Sequence, residues 1–453
     1  MWRELSRAIA SLGRIRLRIP SVRWIASPFF IVAAALTLRM GLLFLSWTSA
    51  PPSMSITTGE PYGYESGHIA AAIASGKGFS SPLPVASGPT AWLGPIYPYV
   101  ISAIFRALGV YSMHSLHAIQ ALNCALSSLI VFPVYGIARR SFDATTAVFS
   151  SWLWVFLPTA WHIPIANVWD STLSALFLAL IFHATVVLRG RRKLLHWAGY
   201  GALWAAAALV NPALLSLFPL FLLWLAQEAR KQEIPCLRMI LATLLMFLAG
   251  MIPWSIRNYR VLGEFVPVRS NFGLELWLGN NLDSQDVNSF SQHPFVNAAE
   301  ASEFVRLGEV EYMAQKKGEA VAFIRSHPRE TLVRVAARFF THWFSVSDRP
   351  GSSGAKMPLH LKLFFPFNAI IVLSGWLGAG IVYRKCGSLA QPYLAVLFVY
   401  PLVFYITHTT LRYRHPMEPI LAILAVVGGL SVLDSISTKT SRLLRPTLHL
   451  IRC

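Results

Sequence analysis

A carboxylate, Glu65, stands in the segment Gly63-Tyr64-Glu65-Ser66-Gly67-His68-Ile69-Ala70, beyond the first long apolar run and ahead of Gly76-Lys77-Gly78-Phe79 and Gly88-Pro89-Thr90-Ala91-Trp92. An acid held beside a bilayer is costly unless it works, and the work of a carboxylate is to take or give a proton. A second concentration of chemistry is Leu411-Arg412-Tyr413-Arg414-His415-Pro416-Met417-Glu418. Two Arg and a His entering an apolar helix suit an anion, because the guanidinium fork matches phosphate oxygens two at a time; snorkelling toward headgroups would use the same residues. Arg257 and Arg260, after another apolar run, are further candidates for a phosphate. Asp170, after Val168-Trp169, could orient a second reactant or hold a divalent cation, or cap a helix ahead of Ser171 and Thr172. His68 shares a face with Glu65 if the segment is helical, and could share its proton. Glu60 is a further candidate for contact with substrate, or simply a solvated acid in a Gly- and Pro-flanked loop. Asn280-Asn281 and His293 could touch an acceptor, although loop polarity predicts them equally well.

These residues need a frame, and composition says which kind. The chain of 453 residues is 55% hydrophobic and only 13% charged, with mean hydropathy +0.52. A soluble chain of this length exposes far more charge. Apolar runs able to cross about 30 Å of hydrocarbon fall near 27–47, 116–138, 143–164, 169–188, 195–210, 212–227, 239–255, 363–383, 389–408 and 415–434, so about ten transmembrane helices are expected.

Lys and Arg set the orientation, since short basic loops stay in the cytoplasm. The N-terminal tail, Arg139-Arg140, Arg189 to Lys193, Arg230-Lys231 with Arg238, Arg384-Lys385 and the C-terminal tail fall on one side if Trp92 to Val110 lies at the outer surface as a juxtamembrane helix. The chain is then N-in and C-in. Those tails and turns hold just over half of the 39 basic residues, so the net charge of +19 points to anionic headgroups rather than nucleic acid. The first span, although followed by Thr48-Ser49-Ala50, is long for a signal and reads as an uncleaved anchor. The four cysteines have no zinc spacing, and no disulfide is expected outside.

The organisation expected is a basic tail at 1–26, a membrane module at 27–255 that includes a first outer loop at 48–115, an extracytoplasmic loop domain at 256–361, C-terminal spans at 362–434 and a basic tail at 435–453. The loop domain holds more than half of the 20 acidic residues. It opens on a β-like run from Glu264 to Arg269, mixes strand alternation with turn residues from Asn271 to Asn281, and turns helical from Ala298 to Phe344 with a break at His327-Pro328. The fold class is an all-α polytopic membrane protein with outer juxtamembrane helices and a small α/β loop domain.

From Glu65 the chain reads E-x-x-x-I-A-x-x-I-A-x-G-x-G-F, followed by Pro89-Thr90-Ala91, Pro95-Ile96-Tyr97-Pro98 and an amphipathic helix ending Leu108-Gly109-Val110. This pattern resembles the GT-C membrane glycosyltransferases, in the bacterial branch similar to protein mannosyltransferases, aminoarabinose transferases and rhizobial lipopolysaccharide-core glycosyltransferases. The resemblance implies a GT-C-like fold, a polyprenyl-phosphate sugar donor, a lipid, glycan or protein acceptor, and transfer at the outer face of the cytoplasmic (inner) membrane. It implies hexosyl or pentosyl transfer, inverting, with Glu65 as general base and no certain cofactor. Many relatives open the motif with a pair of acids, whereas here Tyr64 precedes Glu65 and the second acid is Glu60. Where relatives carry a Lys before a Pro pair, this chain reads Trp92-Leu93-Gly94-Pro95, so its phosphate partner must come from elsewhere. The alternative class is a transporter or flippase for a lipid-linked glycan; paired repeats with broken helices, its usual signature, are not evident.

The topology is open to a direct test. A Cys introduced at Ser289 should react with an impermeant thiol reagent from outside, and one at Gly190 should not; labelling of both from the same side would sink the N-in, C-in arrangement.

Overall fold

The computed structural model describes residues 24–49, 61–284, 289–345 and 359–441; Glu60 and most of both basic tails lie outside them. Among the described residues there is no sheet, only the isolated bridge between Ser80 and Pro89. The protein is a multi-pass membrane protein. Among the described residues, eight helical stretches are long and apolar enough to cross a membrane: Pro28–Thr48, Met113–Ser141, Ser171–Leu188, Pro212–Lys231, Leu237–Leu262, Phe364–Lys385, Gly387–Ile406 and Leu411–Ile436. Two of the ten expected spans take another form. The run at 143–164 breaks at Leu157-Pro158 into Ala144–Phe156 and Pro158–Ala166, and the run at 195–210 is one helix, Leu194–Val210. A proline cannot donate the hydrogen bond that would carry a helix through it.

The membrane helices, in chain order, are α1 (Pro28–Ser49), α4 (Met113–Leu129), α5 (Val131–Ser141), α6 (Ala144–Phe156), α7 (Pro158–Ala166), α8 (Ser171–Leu188), α9 (Leu194–Val210), α10 (Phe218–Lys231) and α11 (Leu237–Leu262), then α16 (Leu359–Lys385) to α20 (Glu418–Ser441). Between α1 and α4 come α2 (Tyr64–Ala74) and α3 (Ile96–Leu108), which pack on each other, and Arg106 of α3 donates to the Ile73 carbonyl at 2.8 Å. Between α11 and α16 stand α12 (Phe272–Gly279), α13 (Ala298–Leu307), α14 (Glu309–Ser326) and α15 (Pro328–Phe344).

The loop domain is therefore helical where a small α/β unit was expected. Glu264 to Arg269 forms no strand, because side chains of α11 take the ladder's place. Asn258 Nδ2 donates to the Val266 carbonyl (2.9 Å), Ser255 Oγ to Pro267 (3.1 Å) and Trp254 Nε1 to Val268 (3.1 Å). Backbone acceptors satisfied in this way need no neighbouring strand.

Two devices hold the membrane helices together. Arg39, fully buried in α1, donates to Ser127 Oγ (3.1 Å) and to the carbonyls of Ala160 (3.0 Å), Ala35 (3.2 Å) and Trp154 (3.1 Å). One guanidinium thus ties α1 to α4, α6 and α7, as a charge within hydrocarbon must find acceptors in the protein. The other device is close approach of small residues: α16 and α20 pack so tightly that a Cβ on Gly378 would lie 1.9 Å from the Leu424 carbonyl, and one on Gly428 would lie 2.1 Å from Ser374 O.

Replacing Gly428 by Ala should therefore force α16 and α20 apart and cost about 1–3 kcal/mol, read as a lower Tm in detergent. Gly429→Ala, with nothing within 4 Å of the new Cβ, is the matched control and should leave Tm near the wild-type value.

Candidate functional site

The site is built around the start of α2. Gly63 (φ 83°) and Tyr64 (φ 47°) are successive residues in the left-handed region, and they turn the chain so that Glu65 enters in the first turn of the helix. Tyr64 has no glycine's freedom there, so the surrounding packing must hold it; its ring meets Trp169 (5.6 Å), Phe290 (5.6 Å) and Phe295 (5.3 Å). Gly67 is also required, since a Cβ would fall 1.8 Å from the Tyr62 carbonyl.

The Gly88-Pro89-Thr90-Ala91-Trp92 motif is a clamp rather than a reactive element. Buried Glu309, first residue of α14, accepts from Thr90 Oγ1, from the Ala91 amide (2.7 Å) and from Ser270 Oγ (2.6 Å). Burial pushes its carboxyl up, and these three donors with Arg257 oppose the shift. Arg257 Nη1 donates to the Thr90 carbonyl and Nη2 to Phe79 O at 2.7 Å, with the guanidinium over the rings of Trp254 (4.9 Å) and Phe79 (5.3 Å). Its fork is thus spent on the first outer loop. Arg260 lies exposed near the end of α11.

Around Glu65 the fold gathers groups from five parts of the chain. His293 Nε2 is 3.4 Å from Glu65 Oε1. Arg412 lies with its guanidinium carbon 3.8 Å from the centroid of the Trp169 ring, next to Asp170. Burial pushes the Glu65 carboxyl up, opposed by its backbone amide, Arg412 and Arg269 and reinforced by Glu275. Burial likewise pushes Asp170 up, opposed by Arg269 and Arg412. The same two guanidinium groups therefore act on both carboxylates. Asp170 precedes α8 but makes no side-chain cap bond, so capping does not account for it.

Arg412 is held by a directed chain. Its Nη2 donates to Tyr413 Oη (3.0 Å), Tyr413 Oη meets His408 Nε2 (3.2 Å), and His408 Nδ1 lies 3.3 Å from Glu275 Oε2. Asn271 Nδ2 donates to the other Glu275 oxygen at 2.7 Å. Burial holds the His408 ring below the usual imidazole range.

Arg414 and His415 turn elsewhere. Arg414, 1% exposed, donates to Glu418 Oε1 (3.0 Å), Asn368 Oδ1 (2.8 Å) and the carbonyls of His342 and Trp343 at the end of α15; His415 Nδ1 bonds Glu418 Oε2 at 2.8 Å. They lock α15 and α16 to α20 and leave Arg414 no fork for a ligand. His68 packs its ring on Phe295 (5.3 Å) and Tyr111 (6.3 Å) instead of bonding Glu65. Arg269, Glu275 and His408 were not picked out from the sequence. Only the Arg412 motif two residues past Thr409-Thr410, and the polar Asn271 to Asn281 stretch, marked their neighbourhood. Among the described residues no cluster of three or more His, Cys, Asp or Glu is arranged to hold a metal ion.

This all-helical arrangement, with a carboxylate-bearing helix after the first span, is GT-C-like in fold. Residues 90–256 match the family model described as dolichyl-phosphate-mannose-protein mannosyltransferase. Among solved structures, the chain is similar to the Archaeoglobus fulgidus oligosaccharyltransferase complex with Zn and sulfate, at 16% identity and TM-score 0.52, covering 91% of this chain and 50% of that one. Other matches are AglB from Archaeoglobus fulgidus in complex with an inhibitory peptide and a dolichol-phosphate (16%, TM-score 0.49, 92% and 52%) and ArnT from Cupriavidus metallidurans bound to undecaprenyl phosphate (14%, TM-score 0.37, 91% and 81%). The chain spans about half the length of the oligosaccharyltransferases it matches. Comparison with curated protein sequences finds no match.

The two neighbouring arginines should separate on mutation. Arg414→Ala leaves buried Glu418 without its guanidinium, with the His415 bond remaining, and should cost about 3–5 kcal/mol, seen as a large fall in Tm. Arg412→Ala, at the stacked edge of the site, should change Tm far less.

Proposed function

We propose that this protein transfers a sugar from a polyprenyl-phosphate donor to an acceptor hydroxyl at the outer face of the cytoplasmic membrane. Glu65 is the general base, and Arg412 and Arg269 receive the leaving phosphate. The observation that carries this reading is that Arg412, stacked on Trp169 beside Asp170, acts together with Arg269 on both half-buried carboxylates, Glu65 and Asp170. The family model matched by residues 90–256 is described by a lipid-phosphate sugar, which supports the donor class.

In this mechanism the acceptor hydroxyl gives its proton to Glu65 as its oxygen bonds to the anomeric carbon. The bond from that carbon to the phosphate oxygen breaks, and the electron pair leaves on the phosphate. Its growing charge falls to Arg412 and Arg269, whose donors are already oriented. A single displacement inverts the anomeric centre. Asp170, beside the same arginines, orients the acceptor or shares a divalent cation with the phosphate. Of the phosphate candidates read from the sequence, Arg257, Arg260, Arg412, Arg414 and His415, this reading keeps Arg412 and adds Arg269, the two that act on Glu65 and Asp170.

Purified protein in detergent, incubated with a panel of polyprenyl-phosphate sugars and acceptors, should cleave donor, and Glu65→Gln should lower transfer by roughly 10² to 10⁴-fold with donor binding largely kept. The base must be ionised to act and burial raises its carboxyl, so activity should fall on acidification through a limb above the usual carboxylate range. Near-normal turnover by Glu65→Gln would remove it as the base; sugar-lipid movement across vesicles without bond cleavage would replace the enzyme by a transporter.

A further inference from the structure

His293 is nearly completely buried, and both of its ring nitrogens have assigned neighbours. The Phe295 amide donates to Nδ1 at 3.1 Å. A nitrogen that accepts a hydrogen bond carries a lone pair, so in the neutral ring the proton must sit on Nε2. That nitrogen is the one 3.4 Å from Glu65 Oε1, at the long end of the hydrogen-bonding range and within a small adjustment of closing. The tautomer is thus set by the backbone and aimed at a carboxylate that the sequence places more than two hundred residues away.

The ring's direction is fixed on every side. Phe290 stacks on it at 5.4 Å and Trp92 meets it edge-on at 5.7 Å. Its own backbone is held in a tight turn, with His293 N–H donating to Phe290 O (3.1 Å) and the amides of Val296 and Asn297 both donating to His293 O at 2.9 Å. An imidazolium would point a second N–H at the Phe295 amide, donor against donor, so the pocket rejects the charged form on geometric grounds. Burial acts the same way and holds the ring down to about 4.

We propose that His293 is the positioning residue of the base: its Nε2–H holds Oε1 of Glu65, stabilises the ionised carboxylate and leaves Oε2 to take the acceptor proton. This rests on the reading of Glu65 as general base. The charged and titratable groups around the pair are Arg412, Arg269 and Glu275, which act on Glu65, with Glu275 and Arg412 also acting on His293 and His68 on the same helix as Glu65. Among the neutral groups of the described residues, His293 is the one that approaches the carboxylate with a donor whose hydrogen position its surroundings dictate.

The test uses full-length protein in detergent and three variants. His293→Phe removes both nitrogens; His293→Asn keeps an amide able to accept from Phe295 but too short to reach Glu65; His293→Gln extends a donor toward it. Loss of one hydrogen bond to an ionised group should reduce kcat roughly ten- to hundredfold in His293→Phe and His293→Asn, with donor KM little changed. The acid limb of the pH profile should move to higher pH, because the ionised carboxylate has lost a donor. His293→Gln should recover part of both. If His293→Phe does not fold, His293→Asn decides alone. Infrared titration of the protonated carboxyl band, assigned by its loss in Glu65→Gln, should show the same upward shift without any turnover. An unmoved acid limb and an unmoved band in a folded His293→Asn protein overturn the proposal. A fully active Glu65→Gln overturns the base assignment instead, and the infrared shift then still reports whether His293 holds Glu65.

Discussion

The buried carboxylate of Glu309 is the constraint on which the half of the molecule that carries Glu65 depends. Three donors converge on it from two separate parts of the chain, Thr90 and Ala91 in the first outer loop and Ser270 after α11. A buried acid with this many donors is stable only while all of them are present. The first outer loop is thereby pinned against α14, and Arg257 pins it again from α11. Trp92, which lines the His293 pocket, and Arg269, which acts on Glu65 and Asp170, are both set by this clamp: Arg269 Nε donates to the Trp92 carbonyl at 3.3 Å, and the Ser270 amide to Ala91 O at 2.9 Å. The conspicuous Pro-Thr-Ala stretch is thus structural, and it acts on the chemistry through the groups it places.

A division of labour among the basic residues follows from what surrounds each one. Arg39, Arg257 and Arg414 all end on protein acceptors, mainly backbone carbonyls, and serve as braces between helices. Arg338 belongs with them: it reaches the carbonyls of Gly279, Tyr405 and Ile406 and joins α15 to the segment that bears His408. Arg412 differs. Its plane lies on Trp169, and its hydrogen-bonded neighbour is a tyrosine that leads through His408 to Glu275. Stacking and its polar contacts orient this guanidinium, and its charge acts on the two carboxylates, the condition for preorganised stabilisation of a developing anion.

The aromatic wall around Glu65 has an electrostatic consequence. Tyr64, Trp92, Phe290 and Phe295 take water away from the carboxylate, which raises the cost of its charge, while Arg412 and Arg269 offset part of that cost. The balance leaves a carboxyl whose proton affinity is raised but whose ionised form still has partners. That suits a group asked to take a proton from an alcohol and later release it.

Much of the architecture was legible in the chain itself. Long apolar runs and the placement of Lys and Arg determine a multi-pass helical protein, since a segment in hydrocarbon must satisfy its own backbone. The carboxylate after the first span and the Arg412 region were also marked, because a charge at the edge of an apolar run stands out. What the linear order could not supply was partnership. Arg412 and Arg414 are two residues apart in one short helix, Leu411–Arg414, and only packing sends one to Trp169 and the other to Glu418. Glu264 to Arg269 alternates like a strand, yet side chains of α11 occupy its carbonyls. Glu275, His408 and His293 look like ordinary loop polarity until the fold carries them to Glu65 and Arg412. Apolar periodicity is a local property and is written along the chain; the desolvation and charge that tune a site arise between distant segments, and only the tertiary structure decides which of them meet.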